Sequence, residues 1–449
     1  MSDRFDVIVL GMGPGGEVAA SRLIGGGKKV AIIEKELIGG ECAYWACIPS
    51  KTLLRPPEVR AEAIRAFGTE TPWLDLKDIF DYRDSMIRNL DDSSQVEGYE
   101  EKGATVIKGE GKIAGLGKVE ANGQTLEAEH IIVASGSAPN VPPIEGLEDV
   151  PYWTNREATT MREVPRRAVV IGGGPNGLEA SQWLSRFGTE VTIVQAPERL
   201  IDREEPKVSE LIQSALEEEG IEVRLGRKVE KARKQSDESI VATLEDGTEI
   251  ETDVIVIAAG RTPRTEGIGL ESVGVKPTEK RLPIDDRCRL TEGVWAIGDA
   301  TGVSLFTHVA KYQGRIVADN ILGKNRRADY HGTPRVVFSD PEIAAAGLTE
   351  EQAREQGIGV AAVTLDLTKV LARPWTYEQN PRGTLGLVAD REREVLVGAW
   401  AVAPEASEWI HQASQAIRAE IPIEKLLDMV VQFPTYSEGY LEALEKLDL

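Results

Sequence analysis

The stretch FDVIVLGMGPGGEVAA, residues 5–20, decides how the rest of the chain is read. Val7 to Leu10 form a short, wholly apolar run rich in β-branched residues, the composition of a parallel strand buried on both faces. Gly11, Gly13 and Gly16 follow in the spacing G-x-G-x-x-G, then a helix-compatible stretch, then VAIIE, which ends on Glu34. Strand, glycine turn, helix, strand and acid is the order of a dinucleotide-binding βαβ unit. The glycines permit a tight turn and let a pyrophosphate approach the helix N-terminus. Glu34 is placed to accept hydrogen bonds from a ribose diol.

The same frame returns in RRAVVIGGGPNGLEA, residues 166–180, with Gly172, Gly174 and Gly177, and closes in EVTIVQ at Gln195. The first glycine and the closing residue are 23 positions apart in both copies, Gly11 to Glu34 and Gly172 to Gln195. An internal repeat of this unit implies two dinucleotides, such as a flavin and a nicotinamide, brought together to pass a hydride. An acid at the closing position holds an unmodified ribose and repels a 2′-phosphate. Gln195 does not repel it, and Arg199 and Arg203 are available to pair with one. The second site therefore favours NADPH over NADH.

The bulk numbers bound the remaining classes. The 449 residues suggest two to four domains, and 41% apolar with 28% charged content suits a globular core. A net charge of −22 argues against nucleic acid or an anionic membrane as partner. No apolar run approaches the roughly eighteen residues of a membrane span. MSDRFDVIVLG has no basic n-region or cleavage site, so no secretory signal is read and a cytoplasmic location is expected. Three cysteines exclude a disulfide scaffold. Two of them, Cys42 and Cys47, lie in GGECAYWACIPSK (residues 39–51) with four residues between them. In a cytosolic chain such a pair is more often catalytic or metal-binding.

Together these segments resemble the FAD-dependent pyridine nucleotide–disulfide oxidoreductases, the family of dihydrolipoamide dehydrogenase, glutathione reductase, mercuric reductase and soluble transhydrogenase. GGECAYWACIPSK resembles the redox-disulfide segment. VASGSAP (133–139) and VWAIGDAT (294–301) resemble the later FAD motifs. AAGRTP (258–263) resembles the end of the nicotinamide domain, and FPTYSEG (433–439) the active-site segment at the dimer interface. The resemblance implies an α/β fold of two Rossmann-like domains plus a C-terminal α+β interface domain. The segments expected are an FAD domain over 1–151, a nicotinamide domain over 152–265, a central domain over 266–332 and an interface domain over 333–449. It implies a homodimer, and a reversible Cys42–Cys47 disulfide beside the flavin. Cys47 is then nearer the ring, and Cys42 is the sulfur that meets a small-molecule substrate. A thiol near a helix N-terminus is expected to ionise readily. Pro49 agrees with a helix beginning or bending there. Four histidines and one remote cysteine offer no zinc pattern. Lys51 is expected to pair with Glu179 beside the flavin, and Asp299 to bond its ribityl chain. Gly40, Gly111, Ser135, Gly136 and Gly260 complete the implied cofactor contacts. Cys288 is expected to be structural.

The departures bear on the substrate. Trp45 and Ala46 replace small residues between the cysteines. Glu41 stands where a small hydroxyl residue is usual, beside the expected pyrophosphate. Phe433 occupies the position of the histidine that transfers protons in dihydrolipoamide and glutathione enzymes, while Glu438 keeps that histidine's glutamate partner. This counts against dihydrolipoamide dehydrogenase, unless Tyr436 or a water moves the proton. The chain ends LEALEKLDL, without the cysteine pair of mercuric reductase, and it keeps both redox cysteines that transhydrogenase normally lacks. The leading expectation is an NAD(P)H-linked enzyme exchanging electrons with a small disulfide or dithiol that needs no base. A reductase of quinones or other diffusible acceptors is the alternative, and a slow flavin-binding redox sensor is a third reading.

Overall fold

Strand β1 (Arg4–Leu10) enters the glycine turn and helix α1 (Pro14–Gly25), and β2 (Val30–Glu34) closes the unit as expected. Pro14 occupies the first turn of α1, where its missing N–H leaves no acceptor unpaired and its fixed φ suits the helix. β2 is buried along its whole length, which explains why its sequence is a continuous apolar run rather than an alternating one. The computed structural model describes residues 4–236, 238–277 and 281–449.

The chain divides into two units: one holds the chain up to Pro49, Asp81–Asn140 and Arg261–Asp329, and the other holds Ser50–Phe80, Val141–Gly260 and Tyr330–Leu449. In the first unit, β1 lies between β2 and the strand Gln124–Val133, with all three parallel. Val294–Ala296 extends this sheet beyond Gln124–Val133, and Thr105–Lys108 extends it beyond β2. Leu10 aligns with Ile33 and with Val133. That register brings the glycine turn, Glu34 and the VASGSAP segment out at the same carboxyl edge, where α/β sheets bind ligands.

The second unit repeats the device. Arg167–Ile171 leads into the helix Pro175–Arg186, again with proline in the first turn, and Glu190–Gln195 closes it. These strands belong to a five-stranded parallel sheet whose central strand, Arg167–Ile171, pairs with Glu190–Gln195 and Val254–Ile257. The C-terminal part of this unit is different in kind. Five antiparallel strands (Pro334–Val337, Glu342–Gly347, Val360–Asp366, Thr384–Asp390 and Val395–Ala403) carry the amphipathic helix Ala406–Arg418 on a core of alanine, leucine and aromatic side chains. The fold is therefore the α/β class expected, with two Rossmann-like units and a C-terminal α+β part. Among the described residues, no helix is long and apolar enough to cross a membrane.

The helix Ala406–Arg418 is capped by an acid from the sheet: Glu342 accepts from the Ser407 backbone N–H at 2.7 Å and from its hydroxyl at 3.1 Å. Burial, with Glu58 and Glu408 nearby, pushes the Glu342 carboxyl up to about 7. The folded state then holds this proton more tightly than the unfolded chain does. Stability is fully present below the unfolded value near 4.5 and is lost as pH rises through about 7. Glu342→Gln is expected to gain on wild type by on the order of 1–3 kcal/mol between pH 5 and pH 8. Denaturation at both pH values measures this, and a constant gap between the two proteins contradicts it.

Candidate active site

The first glycine turn is shaped by three distinct contacts. A Cβ added to Gly11 would lie 2.4 Å from the Ala134 carbonyl oxygen, and one on Gly16 would lie 2.2 Å from the Gly11 carbonyl oxygen. These two positions are closed by neighbouring backbone. Gly13, the N-cap of α1, faces open space, with no atom of the described residues within 4 Å of its missing Cβ. Backbone pinned on both sides and open in the middle suits a diphosphate approaching the helix N-terminus. Glu34 accepts from the Met12 and Glu36 backbone N–H groups, each at 2.7 Å, which orients its carboxylate at the end of β2. Gly111 packs beneath the same edge, since a Cβ there would meet the Leu10 side chain at 2.7 Å.

The second turn reproduces this geometry. Added Cβ atoms at Gly172 and Gly177 would lie 2.4 Å and 1.8 Å from the carbonyl oxygens of Ala258 and Gly172, while Gly174 is open. Gln195 takes the part of Glu34: its Oε1 accepts from the Gly173 N–H at 2.7 Å. Its Nε2 donates to the Arg199 carbonyl at 3.1 Å, so the amide is oriented from both ends. Arg199 differs from the sequence expectation. Its guanidinium folds back on its own loop, donating to the carbonyls of Asp202 (2.9 Å) and Glu204 (3.3 Å). A 2′-phosphate would have to draw it away, so Arg199 adds little to the case for NADPH. Arg203 is exposed.

The cysteines sit on two helices, the short α2 (Gly40–Tyr44) and the long α3 (Cys47–Arg65), with Trp45 as the C-cap of α2. Cys42 hydrogen-bonds Cys47. That contact, then burial, pushes the Cys42 thiol well above its ordinary range, with Thr307 and Lys311 acting the other way. Helix proximity alone suggested an easily ionised thiol, and for Cys42 this is corrected. Its helix is only five residues long, and the neighbouring sulfur opposes a second negative charge. Cys47 begins a helix of 19 residues and shares a 3.3 Å hydrogen bond with the Thr307 hydroxyl. Thr307 opens the helix Thr307–Ile321, and sequence reasoning missed it. A threonine at a helix start after VWAIGDAT was the available signal.

One turn beyond Cys47 on α3, Lys51 Nζ lies 2.8 Å from Glu179 Oε2. The other Glu179 oxygen accepts from the Phe338 N–H at 3.1 Å, and the ammonium sits 4.7 Å from the Phe338 ring centre. Glu179 is buried, so the lysine charge is held in place by a partner that is itself fixed. Asp299, in the VWAIGDAT segment, accepts from the Ser137 hydroxyl at 2.6 Å, and Arg261 Nε donates to that same hydroxyl at 2.7 Å. Burial raises the Asp299 carboxyl, opposed by Ser137 and by the charge of Arg261. Ser135 donates to the Arg264 carbonyl at 2.7 Å. Gly136 and Gly260 take φ of +71° and +92° where the chain enters the ribbon Ser137–Pro139 and Arg261–Pro263.

At the C-terminus, Glu438 accepts from the Thr435 N–H at 3.0 Å and so holds the FPTYSEG turn. Phe433 is 75% exposed. Tyr436, named above with water as a carrier of the proton, lies in the C-terminal core. It is 3% exposed, its ring stacks on Trp409 at 6.1 Å, and its hydroxyl is buried with no hydrogen-bond partner among the described residues. Burial raises this phenol far above neutrality. Its ring fills that core. Cys288 is fully buried.

Two glycine cradles, one closed by an acid and one by an amide, and a cysteine pair at a helix start define an oxidoreductase that works with two dinucleotides. The chain belongs to the pyridine nucleotide-disulphide oxidoreductase family: that family's model matches residues 5–314, and its dimerisation domain matches 333–444. A dihydrolipoyl dehydrogenase of Thermus scotoductus is 36% identical over 99% of this chain and 97% of its own. A mercuric reductase of Staphylococcus aureus is 33% identical over 97% of this chain and 81% of its own. The Escherichia coli HOCl-induced flavoprotein disulfide reductase RclA superposes with a TM-score of 0.88 at 26% identity, covering 98% of this chain and 99% of its own. The family implies FAD and NAD(P)H, and the chain is an FAD-dependent pyridine nucleotide–disulfide oxidoreductase. Both cradles fit those cofactors, with Gly13 and Glu34 placed for one, and Gly174 and Gln195 for the other.

Proposed function

We propose that this enzyme reduces a small disulfide whose leaving thiolate needs no proton, drawing electrons from NAD(P)H. The cysteine pair, Cys42 hydrogen-bonded to Cys47 at the head of α3, carries this reading. Bound FAD supplies the two-electron exchange between the nicotinamide and the cysteine pair. The protein's own part follows from its residues. Lys51, held by Glu179, would supply the positive charge that the family's lysine brings to its flavin. The Thr307 hydroxyl supports negative charge on Cys47. With its proton released to water, Cys42 attacks a substrate sulfur, expelling one thiolate and forming a mixed disulfide. Cys47 then attacks the Cys42 sulfur, expels the second thiolate and restores the Cys42–Cys47 disulfide, so the substrate gains the two electrons the pair loses. No side chain at position 433 can protonate the leaving thiolate, which selects disulfides of low thiol pKa. Relatives of this chain include dihydrolipoyl dehydrogenases, and Phe433 alone supports a different substrate here. The family's dimerisation domain, with exposed Met429, Val430 and Phe433, supports a homodimer.

The alternative, reduction of quinones or other diffusible acceptors, needs the flavin but not Cys42. A screen of disulfide and quinone acceptors, read at the nicotinamide absorbance, tests the proposal. Turnover with quinones alone overturns it.

The closing residue of the second cradle sets the nicotinamide. Gln195 lacks the charge that repels a 2′-phosphate, which supports use of NADPH. Gln195→Glu is expected to lower the NADPH to NADH ratio of kcat/KM by about tenfold, since a carboxylate then faces the phosphate. An unchanged ratio means Gln195 does not reach the ribose.

A further inference from the structure

Glu41 places an acid beside a turn built for phosphate. An added Cβ at the preceding residue, Gly40, would lie 2.8 Å from Gly13 Cα, so Glu41 stands one residue from the open face over Gly13. Its side chain, 18% exposed, faces two guanidinium groups, Arg261 Nη2 at 3.8 Å and Arg264 Nη2 at 3.9 Å. These gaps exceed the roughly 2.7–2.9 Å of a closed charge-assisted pair. The two arginines are held differently. Arg261 donates through Nε to the Ser137 hydroxyl and through Nη2 to the Ser137 carbonyl, so its direction is set by the strand. Arg264 is anchored by its backbone, and its side chain is about a third exposed. With Asp299 the cluster holds two acids and two arginines, and these charges cancel.

A diphosphate arriving over Gly13 adds negative charge to this balanced set. Glu41 and the diphosphate then compete for the same cations, and Arg264, the less constrained of the two, is the one able to turn between them. We propose that Glu41 is an internal competitor for the FAD diphosphate, occupying Arg264 and thereby setting how tightly the cofactor is retained. The proposal rests on the family's use of FAD and extends it to a residue that touches the cofactor's binding charge rather than its chemistry.

Competition makes a prediction of sign that a bracing role does not. Glu41→Gln keeps the shape and removes the competing charge. Arg264→Gln leaves Glu41 facing the diphosphate. The rate of FAD release from the holoenzyme, followed as the rise in flavin fluorescence on dilution, reads both. Glu41→Gln is expected to slow release about five- to tenfold, and Arg264→Gln to speed it about tenfold. The double variant should return to within about threefold of wild type, because the two charges act on one another. Glu41→Asp, which keeps the charge, should not slow release. If Glu41→Gln releases FAD as fast as wild type or faster, Glu41 does not compete and the proposal is overturned. A wild-type protein that carries no FAD would instead overturn the cofactor assignment itself.

Discussion

Cys42→Ser is expected to lower turnover with a disulfide acceptor by about 10³-fold or more, while NAD(P)H-dependent reduction of a quinone stays within a few-fold of wild type. Removing a nucleophile deletes the covalent route itself rather than weakening it. Cys42 is partly exposed and hydrogen-bonded to Cys47. Serine keeps its size but cannot form the mixed disulfide. The quinone rate serves as the control, because it depends on the flavin and the nicotinamide cradle and not on exchange at sulfur. Equal losses with both acceptors would mean that the substitution disturbed the flavin site. Disulfide turnover that survives would place exchange elsewhere, and Cys288, fully buried, is not a candidate.

Dihydrolipoamide is expected to be a poor substrate for the wild type, and Phe433→His is expected to improve its turnover by about 10²–10⁴-fold, the usual worth of a general acid–base group. The structure sharpens this expectation. Glu438 is present and hydrogen-bonded within the turn, so the partner of a histidine is in place. Tyr436 is buried, with no hydrogen-bond partner for its hydroxyl among the described residues. Dihydrolipoamide must lose a thiol proton before it attacks the Cys42–Cys47 disulfide, so the wild-type rate should climb about tenfold per pH unit below the substrate thiol's own pKa. Phe433→His should superimpose a step near the imidazole value of about 6.5. Wild-type oxidation of dihydrolipoamide as fast as by the dihydrolipoyl dehydrogenases this chain resembles would refute the argument from the missing base.

Much of this protein was legible in short windows of its sequence. The two cradles depend on glycines spaced two and three apart and on a closing residue 23 positions on, and local backbone sterics enforce that spacing wherever the chain lies. The parallel sheets followed from apolar runs too short for helices, and the cysteine pair and its helix followed from C-x-x-x-x-C and Pro49. The positions of Glu34 and Gln195 could be read because each bonds the backbone of its own βαβ unit.

The contacts that tune the chemistry could not be read this way. Glu41 meets Arg261 and Arg264 across more than two hundred residues, and Cys47 meets Thr307 across 260. Ser137 joins Arg261 to Asp299 because the ribbon Ser137–Pro139 pairs with Arg261–Pro263. Arg199 appeared free for a phosphate until its loop supplied carbonyls, and Tyr436 appeared reactive until Trp409 and Tyr377 enclosed it. A residue type states which bonds a side chain can make. Which bonds it does make depends on burial and on partners from distant strands, and those are set only when the sheets assemble.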